Sequence, residues 1–221
     1  MIPPETPLLT DDELAELPVF PLPSAVLFPG VSMGLHLFEP RYRAMMRHCL
    51  EKGPRAIAIA QLKPGFEKDY EGRPAICEVA GAGRIVSHRG NPDGTFDLIL
   101  EGTQRVRLHE LPFVPPFRRA RAETIADVVG DEVAWRVLAD RMRAMLERLP
   151  RASSTPIPPP RVTGSSGRVL DLIADALVRD PARRQALLEA TTLEERWTLL
   201  SQEPAMQLRE AHDRERWRNS N

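Results

Sequence analysis

Lysine, cysteine and long apolar runs are all scarce in this chain of 221 residues, and each scarcity removes a class of function. Lys52, Lys63 and Lys68 are the only lysines. A serine–lysine peptidase dyad needs an amine beside a hydroxyl, so any dyad with the C-terminal serines would have to bring distant parts of the chain together. The nearest approach to a phosphate loop, Gly164-Ser165-Ser166-Gly167-Arg168, lacks both the glycine spacing and the lysine that would reach nucleotide phosphates. Neither ATP binding nor intrinsic catalysis is expected, and Glu101 beside Gly102 reads as a turn or ion-pair residue rather than an acid or base.

The two cysteines, Cys49 and Cys77, have no C-x-x-C spacing and no histidine pair at zinc-ligand distance. They read as small buried hydrophobes, with no disulfide, metal or cofactor expected. His36, His48, His88, His109 and His212 are scattered and form no recognisable triad. Apolar runs such as 56–60 fall far short of the about 20 residues that span a bilayer. No lysine or arginine precedes Arg41, while Glu5, Asp11, Asp12, Glu13 and Glu16 make the start acidic. A signal peptide needs the opposite charge, so the expectation is a cytoplasmic protein without a membrane segment.

Charge of one sign is also missing. The net charge is −1, with 31 acidic residues set among 30 basic ones, and aromatics make up 5 %. Such a chain has no global field for nucleic acid and few rings for base stacking. Arg118, Arg119 and Arg121, joined across a sheet by Arg105 and Arg107, form the best local basic cluster.

What is present is a change of period along the chain. Residues 1–16 bear prolines and acids and read as a loose tail. The density of Pro18, Pro21, Pro23 and Pro29 confines 17–37 to short edge strands and turns. Pro40 and Gly53 bracket a helix whose stripe is Tyr42, Met45, Met46, Cys49 and Leu50. Strands follow at 56–60, at 79–88 and 95–101 around the turn Asn91-Pro92-Asp93-Gly94, at 104–111 and at 118–125. Beyond Ile125 the period becomes helical. Asp131 caps a helix to Leu149, a loop rich in proline and serine fills 150–166, and a helix at 167–179 follows. Asp180-Pro181 opens another, and Thr192-Leu193-Glu194-Glu195 fits a capping box for a last helix toward Trp217 that Pro204 kinks or divides. The expected fold is α+β: a small twisted antiparallel β-barrel over 17–126 with one or two helices, then a helical bundle over 127–221.

Several motifs in order carry a family resemblance. They are Leu17-Pro18-Val19-Phe20-Pro21-Leu22, Leu27-Phe28-Pro29-Gly30, Phe38-Glu39-Pro40-Arg41-Tyr42 and Glu101-Gly102-Thr103-Gln104-Arg105-Val106-Arg107-Leu108. Together they resemble the N-terminal substrate-binding domain of the Lon proteases, strongly to about Leu111 and faintly to Leu200. The resemblance implies a PUA-like barrel and a recognition module without the ATPase or peptidase that follows it in a full Lon. Its implied partners are unfolded or exposed apolar segments of polypeptides, or one dedicated protein partner.

An edge strand could take up such a segment through backbone hydrogen bonds. Met33, Leu35, Leu37 and Phe38 are the candidate peptide-binding residues, the competing reading being that they are core. Two other functions stay open. One is RNA binding, from the PUA-like fold, against which the charge and aromatic content stand. The other is a scaffold similar to cereblon's Lon-like domain, using the C-terminal helix with Arg209, Arg214, Arg216 and Arg218 among Glu210, Asp213 and Glu215.

Overall fold

The hairpin turn sets the register for the sheet. In the computed structural model, which describes residues 6–69, 72–146 and 165–202, Asn91 N–H donates to Thr95 O at 2.9 Å and Gly94 takes φ 80°. The turn joins β4 (Val79–Gly90) to β5 (Phe96–Glu110) as an antiparallel pair running from Val79↔Arg107 to Gly90↔Phe96. β5 is long enough to serve two further neighbours on its other edge. Its first half pairs with β2 (Ser32–Leu37) and its second half with β6 (Arg118–Ile125). β3 (Ala56–Gln61) lies on β4, β1 (Leu17–Leu22) on β3, and β6 on β1, so five strands close into a barrel and β2 stands outside the ring.

The α+β barrel with helices is as expected, with three departures. First, the barrel is not wholly antiparallel, because β1 and β3 run parallel from Val19↔Ala58 to Leu22↔Gln61. A parallel pair needs a long crossover, which β2 and helix α2 (Pro40–Glu51) supply. Second, β1 is not an edge strand despite its prolines. It pairs with β6 along 17–19 and with β3 along 19–22, so neither Pro18 nor Pro21 has to complete a ladder on both sides. Third, 95–101 and 104–111 are one strand. Gly102 reads as a break but lies within β5.

Residues 6–16 are not a loose tail. They contain the one-turn helix α1 (Asp11–Ala15), capped by Thr10 and Glu13 in a capping box, and they bury Leu9 and Leu14. Both leucines join the small side chains that fill the barrel, among them Ala56, Ala58, Ala60, Ala80, Ala82, Ala120 and Ala122. Glu13 receives hydrogen bonds of 2.7 and 2.8 Å from the Arg84 guanidinium. That contact, helped by the Thr10 amide, holds the Glu13 carboxyl below its ordinary value against partial desolvation. A depressed carboxylate stabilises the fold above its unfolded pKa and loses that contribution as the pH falls through the folded value. Glu13→Gln is expected to cost about 1 kcal/mol at pH 7, its partial exposure allowed for. Urea titrations should show the difference from wild type shrinking below about pH 4.

β3 carries both cores. Its alanines face the barrel interior, while Ile57 and Ile59 face the opposite way, where α2 packs Tyr42, Met45, Met46 and Cys49 with Phe20, Leu37, Leu98 and Leu100. A third core joins the barrel to helices α3 (Glu132–Leu146), α4 (Ser166–Leu177), α5 (Pro181–Glu189) and α6 (193–202), with Val26, Phe28, Val31 and Val79 on the barrel side. The helix starts follow their capping residues. Asp131 Oδ1 accepts from the amides of Val133 and Ala134, Asp180 Oδ1 from Arg183, and Thr192 and Glu195 satisfy each other's amides. Most of the loop at 150–166, the helix end at Leu149, and the stretch from Pro204 through Arg209 to Trp217 lie outside the described residues. No helix among the described residues is long and apolar enough to cross a membrane.

Candidate functional site

β2 is where the sheet stops. Among the described residues it pairs only with β5, which leaves backbone N–H and C=O groups along its outer edge without a strand partner. The alternation of a strand divides its side chains. Met33, Leu35 and Leu37 share one face over the α2 core, with Leu37 buried and the other two half-buried. Gly34 and His36 are exposed on the other face. Phe38, just past the strand, is 63 % exposed. The four residues nominated from sequence are therefore brought together, but in different roles: Leu37 is core, and Phe38 presents apolar surface.

The exposed face of β2 is ordered by one carboxylate. Asp97 Oδ1 lies 2.7 Å from His36 Nδ1, and its Oδ2 accepts from Arg89 Nη2 at 2.9 Å and Asn91 Nδ2 at 3.0 Å. His36, then Arg89 and Asn91, hold the Asp97 carboxyl well below the usual range. The His36 ring stacks 6.2 Å from the Phe38 ring. Residues 36–38 thus form a small platform at the strand end, fixed from β5 and the hairpin turn. Sequence reading found the strand but missed this bracing, because Asp97 is 61 residues from His36.

Other titratable clusters have structural roles. Arg105, Asp171 and Arg196 are each buried to 2 % exposure or less, and Asp127 joins them. Asp171 accepts from Arg105 Nη1 at 2.9 Å and from Nη2, with Arg196 Nη1 3.5 Å away. This four-charge group lies where β5 meets α4 and α6. The expected basic cluster is neutralised residue by residue: Arg105 by Asp171, Arg107 by Glu78, Arg118 by Glu110, Arg119 by Glu16 and Arg121 by Glu123. Glu101, expected as a turn or ion-pair residue, lies mid-strand with Arg168 3.7 Å away.

The remaining nucleophiles and histidines offer little chemistry. Burial pushes the Cys49 thiol up to about 12 and raises Cys77 as well. His36 and His109 each meet a carboxylate, Asp97 and Glu123, but among the described residues neither pair hydrogen-bonds a serine or cysteine. Among the described residues, no three His, Cys, Asp or Glu side chains are grouped to hold a metal ion.

A closed five-stranded barrel with an extra strand on its rim and helices packed at its side defines a PUA-like barrel protein of α+β class. Within that class, the chain belongs to the family of the ATP-dependent protease La (Lon) substrate-binding domain, whose family model matches residues 16–203. It is similar to Lon protease 2 of Herpetosiphon aurantiacus, 27 % identical over 190 residues covering 84 % of this chain and 23 % of the relative. The Lon protease of Escherichia coli K12 is 25 % identical over 189 residues, covering 83 % and 24 % respectively. The chain thus spans about a quarter of the length of these curated relatives. Among solved structures, the Lon N-terminal domain protein from Xanthomonas campestris superposes with a TM-score of 0.59 at 25 % identity, over 84 % of this chain and 96 % of that one. The N-terminal domain of the Mycobacterium avium complex Lon protease shares the fold, with a TM-score of 0.58 at 15 % identity over 84 % and 95 %.

Proposed function

We propose that this chain is a non-catalytic polypeptide-recognition module that binds extended, unfolded or exposed apolar segments along the outer edge of β2. One observation carries the reading: the free edge of β2, which among the described residues pairs only with β5, ends in a braced, exposed aromatic side chain. Natural proteins usually protect a free edge with charges, prolines or a covering element. Here Met33 and Leu35 lie half-buried beneath the edge and Phe38 stands at its end. An added strand would form main-chain hydrogen bonds to β2 for affinity, and alternate side chains would meet this apolar surface for selectivity.

The test is fluorescence anisotropy of labelled denatured casein against the pure protein, with a folded control. Saturable binding selective for the unfolded chain is expected, and Phe38→Asp should weaken it at least tenfold while leaving the circular dichroism spectrum unchanged. Absence of binding at tens of micromolar protein would sink the reading and point to a dedicated partner. Cleavage of casein by the pure protein would overturn its non-catalytic part.

A further inference from the structure

Charge is left uncompensated on one flank of α2. Every arginine in the strands is ion-paired with a carboxylate. Arg43 and Arg47, one turn apart on α2, make no ion pair among the described residues. Arg43 is not a free surface side chain. It is half-buried, its Nε is shut away from solvent without a hydrogen-bond partner, and its guanidinium lies on the hairpin turn, where a Cβ at Gly94 would collide with Nη2. That turn brings two carboxylates nearby, and both are committed elsewhere. Asp93 accepts from the Thr95 amide at 3.0 Å and hydroxyl at 2.7 Å, and Asp97 is held by His36, Arg89 and Asn91.

The helix itself adds to the positive potential. α2 has no acidic residue in its first turn, where the helix dipole favours one. Arg43 and Arg47 stand at i and i+4, a spacing at which like charges repel. Arg47 is exposed, and Glu51, a further turn along, makes no ion pair with it. A buried donor without an acceptor is uncommon in folded proteins. An anion from outside the chain would supply the compensation that the fold withholds.

We propose that this flank of α2 docks an acidic segment of a partner polypeptide, whose carboxylates meet Arg43 and Arg47. Residues four apart on a helix have their Cβ atoms about 5–6 Å apart, and alternate side chains of an extended segment share one face about 7 Å apart. A Glu-x-Glu or Asp-x-Asp stretch therefore matches the pair. Charge distribution favours a polypeptide over a nucleic acid. The whole chain carries −1, so the surface outside this cationic flank is negative on balance. A long polyanion would meet that repulsion, and two cations release too few counterions to offset it. A short acidic segment meets only the flank. The inference is independent of the β2 edge, since it uses none of Met33, Leu35 and Phe38, and either can fail alone.

The test is an NMR titration of the full ¹⁵N-labelled chain at low salt with a blocked octapeptide of alternating Glu and Ser, against its Gln-Ser counterpart. Neither peptide has an apolar side chain to engage the surface beneath β2. The acidic peptide is expected to shift amides around 43–47 and 93–95, to bind at least tenfold more tightly than the Gln peptide, and to weaken as salt is added. Arg43→Met should weaken it at least fivefold while leaving Tm unchanged or raised, because the charge removed has no partner in the fold. Arg47→Gln should weaken it at least twofold. Equal affinity for the two peptides, or shifts confined to other elements, would overturn the site. If Arg43→Met lowers Tm, Arg47→Gln decides, and an unchanged affinity there overturns the proposal. Tighter binding of an octauridylate than of the acidic peptide would overturn the choice of a polypeptide in favour of a nucleic acid.

Discussion

Asp171→Ala is expected to destabilise the fold by about 3–5 kcal/mol, because it leaves two buried guanidiniums without their shared anion. Asp171 is 1 % exposed and lies between Arg105 and Arg196. Burial alone pushes its carboxyl up, and the two arginines act against that; Arg105 in turn is held above its ordinary value by Asp171, although burial alone would lower it. Charge neutrality of the whole group therefore depends on Asp171 and Asp127 together. Asp127 cannot substitute, since it already serves Arg196 and reaches Arg105 only at 3.5 Å. Replacing the pair as a unit, Arg105→Met with Asp171→Leu, should recover most of the loss, because an apolar pair of similar volume needs no compensation in a dry interior. Urea unfolding at pH 7 followed by circular dichroism separates these outcomes. A loss below about 1 kcal/mol for Asp171→Ala would mean that water reaches the site, and the interface would then rest on its apolar core alone.

The part of this molecule legible in the sequence is the part that local rules decide. Asp131, Asp180 and the Thr192–Glu195 box cap helices because their side chains bond amides two or three residues away. The run at 56–60 reads as a buried strand because both of its faces are covered. Helix α1 escaped notice because one turn gives no period to detect, and its ion-pair partner Arg84 is 71 residues distant. β5 looked like two strands because Gly102 resembles a break. It is there for a close approach, since a Cβ at Gly102 would stand 2.2 Å from Phe28 O.

The site was legible in the same partial way. The stretch 33–38 was nominated by apolar character, which cannot tell Leu37, sealed in the core, from Phe38, mostly exposed. That β2 is an edge at all is a property of topology, fixed by the β5–β6 pairing that closes the barrel beside it. The members of the cluster Arg105, Asp127, Asp171 and Arg196 are drawn from separate segments. Buried charge leaves no mark in composition, where it looks like the solvated charge around it.

The largest loss from an apolar substitution is expected at Phe28. The segment at 23–31 is wedged between barrel and helices. On the barrel side, Gly30 N–H donates to Gly102 O at 2.8 Å and Gly102 N–H donates to Val31 O at 2.8 Å. On the helix side, Arg184 lies 5.0 Å over the Phe28 ring and donates to Val26 O at 3.1 Å, while Arg168 packs on Gly30. Phe28 itself is fully buried in the core shared by both parts. Phe28→Ala should cost about 3–5 kcal/mol, the usual penalty for emptying a buried aromatic site. Gly102→Ala should cost about 1–3 kcal/mol by driving its new methyl against Phe28 O. Both changes act by unseating the same wedge, so their effects should not add: the double variant is expected to lose at least 0.5 kcal/mol less than the sum of the singles. Additive losses in urea titrations would show that the ring and the glycine support separate contacts. A Phe28→Ala cost below about 1 kcal/mol would show that the helices hold the barrel without the wedge, leaving the buried charge group and the other apolar contacts to join them.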